Sequence, residues 1–488
     1  MSNSSLSQTA LKGVLWASME KFGGRLIQFI STVVLARILL PSDFGTIAMI
    51  TIIFAIANTL IDSGFSQALI REEKITESDK STTFYINFAV ATILIIVIWI
   101  LAPSISKFYD KQVLTDLIRF MSLTPLFFSL TIVQRAHFVH KINFRTQAYI
   151  NLISSSLSGG VAIYSALKGF GVWSLAMQYV VLALTNSILF WVANPWIPKK
   201  FIDRESFNRL FGFGSKLMAS GIINVTFVQI YKVIIGKLYE SSLLGFYSQA
   251  ENIKNTVSEN LVSVVARVNY PTLSKVKEDK QRLEDAFKKV LRFTSYIVFP
   301  AMFGMILVAE PLVLTLIGEK WMESVPIIKV LCLSGMIFHL QVINLDMLKV
   351  LGRSDLFLKL EIIKKLGVTI SIIIGISFGF WGLIFAQVVS SYISLFVNMT
   401  YTAKLLGYGR IEQMKDILPV LFLSVPMVVT VYLVDMIDFG NTVVELVVLV
   451  TVGFLVYLLI SMVFKPASYR DAIYILRPKL KFLKHLKV

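Results

Sequence analysis

Apolar residues run along this chain in blocks of roughly twenty, the length a helix needs to cross the hydrocarbon core of a bilayer. Short clusters of Lys, Arg, Asp, Pro and Gly separate the blocks. The pattern predicts about fourteen membrane-spanning helices, at residues 11–39, 44–64, 82–105, 113–136, 146–167, 171–194, 211–238, 243–266, 288–309, 324–348, 357–378, 381–404, 416–435 and 442–464. Such a chain is an all-α polytopic membrane protein.

An even number of spans puts both chain ends on one side. The loops at 65–81, 137–145, 195–210, 267–287, 349–356 and 405–415, the tail 465–488 and the adjoining span ends hold 31 of the 47 Lys and Arg residues. The loops opposite hold four, Lys107, Lys111, Lys168 and Lys320. Basic residues collect in cytoplasmic loops. Both termini are therefore expected in the cytoplasm. Topology also accounts for the net charge of +17, so nucleic acid is not expected as a partner. The basic tail 465–488 is expected to lie as an amphipathic segment on the anionic inner leaflet, which makes anionic lipids partners.

Composition narrows the classes further. The chain is 56% hydrophobic and 16% charged, against roughly 25% charged for a soluble domain. A cytosolic enzyme, a disordered chain and a disulfide-rich module are excluded. One cysteine, Cys332, sits in an apolar run, so neither a disulfide framework nor a Cys-based metal site is expected. The first hydrophobic stretch carries Glu20, Lys21 and Arg25, unlike the clean core of a signal peptide. There is no nucleotide-binding glycine motif and no H-E-x-x-H. The outward loops are short, whereas a membrane-bound polysaccharide polymerase or ligase would want a sizeable one. The protein is therefore not expected to be an enzyme.

The chain also repeats itself. Arg37 precedes Gly45 by eight residues, and Lys237 precedes Gly245 by eight, at an offset of 200. Ala102-Pro103 matches Glu310-Pro311, and Gly171-Val-Trp173-Ser-Leu175 matches Gly379-Phe-Trp381-Gly-Leu383, both at an offset of 208. Each unit spans six helices, so the copies share one orientation, as in transporters built from parallel repeats. The expected division is an N-lobe at 1–205 (helices 1–6), a C-lobe at 206–408 (helices 7–12), two further helices at 409–464 and the tail at 465–488.

Four stretches carry a family resemblance: LARILLPSDFG at 35–45, IDSGFSQALI at 61–70, GFGVWSL at 169–175 and GKLYESSLLGFYSQA at 236–250. In these the chain resembles the Wzx-type polysaccharide and O-antigen flippases, in particular the colanic-acid-exporter-like branch of the multidrug/oligosaccharidyl-lipid/polysaccharide exporter superfamily. The resemblance implies two six-helix lobes, two added C-terminal helices, alternating access, and an undecaprenyl-diphosphate-linked oligosaccharide as cargo. It also admits the polysaccharide polymerase and export machinery as partners. Two rivals share the architecture: a flippase for the peptidoglycan lipid precursor, and a cation-coupled multidrug exporter.

Charges within spans then become candidate site residues, because a charge at the bilayer centre costs roughly 2.5–3.5 kcal/mol on insertion scales. Ser18, Lys21, Arg25, Gln28 and Thr32 form one helical stripe, with Arg25 about 21 Å along the first span. Helix seven adds Lys216, Asn224, Gln229, Tyr231 and Lys232, and helix eight adds Tyr247, Glu251, Asn252, Lys254, Asn255 and Glu259. These residues are expected to line a polar central cavity. Lys21, Arg25 and Lys254, with Lys216 and Lys232 near its ends, would hold the diphosphate, since Arg offers a bidentate fork and Lys a point charge. Asn224, Gln229, Tyr231, Tyr247, Asn252 and Asn255 would meet the glycan. Glu20, Glu251 and Glu259 either pair these cations or couple transport to H⁺ or Na⁺. Lys364 and Lys365, three and four residues after Glu361, are secondary contacts or snorkel to the surface. No resident cofactor is expected.

Overall fold

The computed structural model describes residues 23–62, 64–72, 75–141, 143–198 and 202–476, and among them the ordered elements are helices. Helix α1 covers 23–38. It is followed by α2 (Pro41–Asp62), α3 (Phe65–Arg71), α4 (Glu77–Phe108), α5 (Val113–Met121), α6 (Leu123–Ser129), α7 (Ile132–His140), α8 (Phe144–Leu167), α9 (Val172–Ala193) and α10 (Arg204–Leu238). Then come α11 (Ser241–Lys275), α12 (Lys280–Leu307), α13 (Ala309–Leu316), α14 (Ser324–Val350), α15 (Ser354–Ile376), α16 (Gly379–Leu406), α17 (Arg410–Leu423), α18 (Val425–Asp435), α19 (Thr442–Phe464) and α20 (Ala467–Leu476).

Eleven stretches among the described residues are helical, long and apolar enough to cross a membrane. The other three expected spans are the polar ones. Residues 11–22 of span 11–39 lie outside the described residues, while α11 and α15 are long but too polar to qualify. Some expected single spans are segmented. The span at 113–136 is built from α5, α6 and α7. Its repeat mate α14 is continuous over 27 residues.

Local chemistry sets the helix ends. Thr76 and Asp79 form a reciprocal capping box at the start of α4. Asp203, Asp279 and Asn441 accept backbone N–H bonds at the starts of α10, α12 and α19. The repeat mates Gly171 and Gly379 both have positive φ, 54° and 72°, where α9 and α16 begin. A side chain there would be strained, which is why both copies of the repeat hold glycine before the aromatic turn.

The chain packs as two compact units, residues 1–245 and 246–488. In the first, α2 touches α4, α9 and α10, and α8 pairs with α9. The first unit takes in α10. In the second, α14 is the most deeply buried helix, packed on α12, α15 and α16. Ile93, Ile96, Trp99 and Ile100 of α4, Ile370 and Ile373 of α15, and Val447 and Phe454 of α19 are exposed. Large apolar side chains displayed in rows on helices of spanning length are surfaces for lipid.

The first part of the tail is packed on the second unit. Helix α20 packs against α12 and buries Ser468, Tyr469 and Ile473. Arg292 of α12 donates Nε to Asp471 at 2.9 Å and Nη1 to Asp416 at 3.4 Å. Asp471 of this segment is thereby anchored on a half-buried arginine. The five remaining tail cations lie at or after residue 477, outside the described residues.

Candidate functional site

In the first unit, Arg25 and Gln28 of α1 are exposed, while Ser31, Leu35, Ala36 and Leu39 are buried. Ser31 sits against Gly159 of α8. The helix rests on Ser31, Leu35, Ala36 and Leu39, with Leu26 and Ile30 exposed beside Arg25 and Gln28. Lys21 and Ser18 of the polar stripe, and the candidate Glu20, lie outside the described residues. On α10, Lys216 and Asn224 are exposed and Gln229 and Lys232 are half-buried. The Gln229 Oε1 atom is enclosed with no hydrogen-bond partner among the described residues. Tyr231 is 5% exposed. Its ring is packed away from solvent in this conformation.

In the second unit, the polar residues of α11 divide between two faces. Tyr247, Glu251, Lys254 and Ser258 follow a 4, 3, 4 spacing and point into the unit. Tyr247 is fully buried, with its hydroxyl 3.1 Å from Gln387 Oε1 of α16 and 3.3 Å from Glu251 Oε1. This polar contact locks α11 to α16. The stem of half-buried Lys254 crosses Gly335 of α14, where a Cβ would come within 3.2 Å of its Cδ. Asn252 and Glu259 lie on the exposed face, and Asn255 is half-buried between the two. Asn252 also donates to Gln249 Oε1 at 3.3 Å. On α15, Lys364 is bonded to Glu361, and Lys365 lies 4.0 Å from the same carboxylate. One carboxylate between two ammonium groups leaves a single net positive charge there.

Sequence reasoning missed two clamps within the first unit. Where α10 ends and α11 begins, the repeat mates Gly45 and Gly245 face each other's helix. A Cβ on Gly45 would stand 1.6 Å from the Ser241 carbonyl oxygen, and one on Gly245 would stand 2.0 Å from that of Pro41. Lys111 bridges the same two helix starts, donating to Thr46 Oγ1 and Ser241 Oγ at 2.7 Å each. Burial pushes the Lys111 ammonium below its ordinary range against the opposing pull of Asp43. Burial also pushes the neighbouring Tyr109 phenol up to about 12. Lys237 pairs with Asp110 at 3.2 Å, beside a recess of about 720 Å³ lined by Ser42, Asp110, Lys111, Tyr239 and Glu240.

At the other end of α10, Arg209 holds Glu72 at 2.8 Å and also binds fully buried Asp79. Nearby, Gly64 of the α2–α3 turn is in backbone contact with Gly214. Both ends of α10 are thus tied to the α2–α4 region. The sequence offered one signal for the first clamp, the 200-residue offset between Gly45 and Gly245. It offered none for the second.

A family model described as polysaccharide biosynthesis protein matches residues 34–326, more than half of the chain. The chain belongs to this family. The match runs from α1 through both clamps into α14. Relatives include the teichuronic acid biosynthesis protein TuaB of Bacillus subtilis (strain 168), 25% identical over 356 residues that make up 72% of this chain and 73% of that one. The succinoglycan biosynthesis transport protein ExoT of Rhizobium meliloti (strain 1021) is 28% identical over 67% of this chain and 66% of its own. The lipopolysaccharide biosynthesis protein WzxC of Escherichia coli (strain K12) is 23% identical over 88% of both chains. Among solved structures, the lipid II flippase MurJ in an inward closed conformation superposes with a TM-score of 0.75 at 17% identity, covering 94% of this chain and all of that one. An inward-facing multidrug MATE transporter matches with a TM-score of 0.62 at 14% identity, over 80% of this chain and 98% of its own. At these identities the two likenesses speak for a shared transporter fold. This member of the polysaccharide biosynthesis family is a multi-pass helical membrane protein.

Proposed function

We propose that this protein moves undecaprenyl-diphosphate-linked oligosaccharide units from the cytoplasmic to the outer face of a bacterial inner membrane by alternating access, with both termini in the cytoplasm. The observation that carries the reading is the family match over residues 34–326, together with the succinoglycan transport role of ExoT and the lipopolysaccharide biosynthesis role of WzxC. The chemistry supports it as well. Arg25 is an exposed cation on α1, and Lys254 is a half-buried cation on the most polar long helix. A diphosphate needs such donors in a partly dry setting. Carboxylates do not dominate these helices, as they would in an exporter of cationic drugs.

Deleting the gene is expected to leave a lipid-linked oligosaccharide on the inner leaflet, with sugars that identify the polysaccharide. Arg25→Ala and Lys254→Ala proteins inserted at normal levels are each expected to translocate about tenfold more slowly, in line with loss of one hydrogen bond to a charged group. Normal translocation by both variants would remove these residues from the site. Accumulation of a peptidoglycan precursor instead would transfer the reading to the first rival.

In this proposal, coupling to H⁺ or Na⁺ falls to Glu251. Its carboxylate is enclosed and shares polar contact with Tyr247 and, through it, Gln387, whereas Glu259 is exposed. Glu251→Gln is expected to make translocation insensitive to collapse of the ion gradients at a reduced rate, measured in energised vesicles. A variant that keeps the wild-type gradient dependence would assign Glu251 to packing alone.

A further inference from the structure

The second unit carries an apolar groove that the transport reading does not use. It lies where α16 ends and α17 begins, has a volume of about 710 Å³, and is walled by Phe396, Thr400, Ala403, Ile411 and Met414. Ligand sites usually enclose roughly 300–1,000 Å³. Its rim carries Lys404 from the last turn of α16 and Arg410 from the first residue of α17. Both are exposed, and neither has an acidic partner among the described residues. The third charged group at the rim, Glu412, accepts the Gly409 N–H at 2.7 Å as the cap of its own helix. The Lys280 ammonium lies near the turn, 3.7 Å from where a Cβ on Gly407 would stand.

The groove is held in shape from behind. Fully buried Tyr408 binds Asp416 through its hydroxyl, and its carbonyl accepts from Gln413 Nε2 at 3.3 Å. Asp416 is in turn held by Arg292. The turn between the two helices is therefore pinned, and the cations are presented beside an open apolar wall. The loop 405–415 belongs to the basic side of the chain, so the rim sits at the cytoplasmic membrane boundary. An apolar slot that opens there beneath exposed cations complements one molecule abundant at that depth, a lipid with an acyl tail and an anionic phosphate head.

We propose that this groove seats an anionic glycerophospholipid of the cytoplasmic leaflet, with its phosphate on Lys404 and Arg410 and an acyl chain against Phe396 and Met414. The assignment rests on the orientation adopted above and not on the cargo. It gives the second unit a fixed lipid ligand, separate from the residues assigned to the transported diphosphate.

The test uses the full-length protein in phosphatidylcholine nanodiscs containing a trace of photoreactive phosphatidylglycerol, followed by mapping of the labelled peptides. Labelling is expected on the segments around Phe396–Thr400 and Ile411–Met414. Unlabelled phosphatidylglycerol should compete, and phosphatidylcholine should not. A Lys404→Gln/Arg410→Gln protein should bind about thirtyfold more weakly, at roughly 1 kcal/mol for each cation near an anionic lipid surface. The exposed Lys415→Gln control, which is not in the groove wall, should bind normally. Equal competition by phosphatidylcholine overturns the proposal, as does unchanged labelling of the double variant. Stronger competition by undecaprenyl phosphate than by phosphatidylglycerol also overturns it, by naming a different occupant. Should the double variant be unstable, the competition series on the wild-type protein decides alone. None of these readouts involves transport, so a failure here leaves the flippase reading standing, and a failure of that reading leaves this one to be judged on binding.

Discussion

Gly45→Val is expected to abolish translocation while leaving some protein in the membrane. The Cβ of any side chain at residue 45 falls 1.6 Å from the Ser241 carbonyl oxygen, well inside a bond-free contact. The obstacle is backbone and cannot rotate away, so the starts of α2 and α11 must part by more than an ångström. Separation also breaks the Lys111 bridge, because Thr46 and Ser241 lie on the opposing helices. Overpacking of this kind costs about 1–3 kcal/mol or more, drawn here from the one conformation in which the two helix starts touch. Gly245→Val meets Pro41 in the same way and should have the same effect. The double variant should be little worse than either single one, since both disrupt a single contact. Ser241→Ala keeps the carbonyl and loses only one Lys111 acceptor, and should retain most activity. Accumulation of the inner-leaflet lipid-linked oligosaccharide is the readout, with membrane levels measured alongside. Wild-type translocation by Gly45→Val would show that this clamp plays no part in the cycle.

The same glycines illustrate what a sequence reveals about such a fold. Period and block length placed the spans, because a bilayer imposes one length on every crossing helix. The repeat markers were legible as coincidences of spacing, and the structure supplies their causes. Gly171 and Gly379 start helices at positive φ, while Gly45 and Gly245 let two backbones touch. Helical spacing puts Arg25 and Gln28 on one face of α1, and both are exposed. Helix α11 resisted the same treatment, because polar residues occupy both of its faces. Composition could not show that Tyr247 would be turned inward onto Gln387, 140 positions away, or that Asn252 would be turned outward. The tail holds a contact of the same kind. Its basic, amphipathic character suits a membrane surface, and only the partner on α12 reveals that Asp471 is the residue that docks it.

The second large effect is expected at Arg209. Asp79 is 0% exposed, and its carboxylate receives Thr76 N–H and Oγ1–H at 3.0 and 2.8 Å besides the arginine. Arg209→Ala leaves that carboxylate enclosed without its countercharge, the circumstance that makes half of a buried ion pair so costly to remove, about 3–5 kcal/mol. The two threonine bonds and the partial exposure of Arg209 argue for the lower end, about 3 kcal/mol. Asp79→Asn is milder. It removes the charge, keeps an oxygen for the Thr76 cap, and leaves Arg209 with solvent and Glu72 as partners. The discriminating protein is the double variant, Arg209→Ala/Asp79→Asn, which has no stranded charge and should recover much of the stability lost in Arg209→Ala. Thermal unfolding in detergent, followed by size-exclusion fluorescence, orders the three. If Arg209→Ala unfolds at the wild-type temperature, the Asp79 carboxylate draws its support from the helix cap alone. If the double variant is the least stable of the set, the arginine acts through packing of its stem across the α3–α10 contact rather than through charge. The first order, with rescue, identifies a charge pair that fastens the entry of α10 to α4, at the opposite end of α10 from the glycine contact.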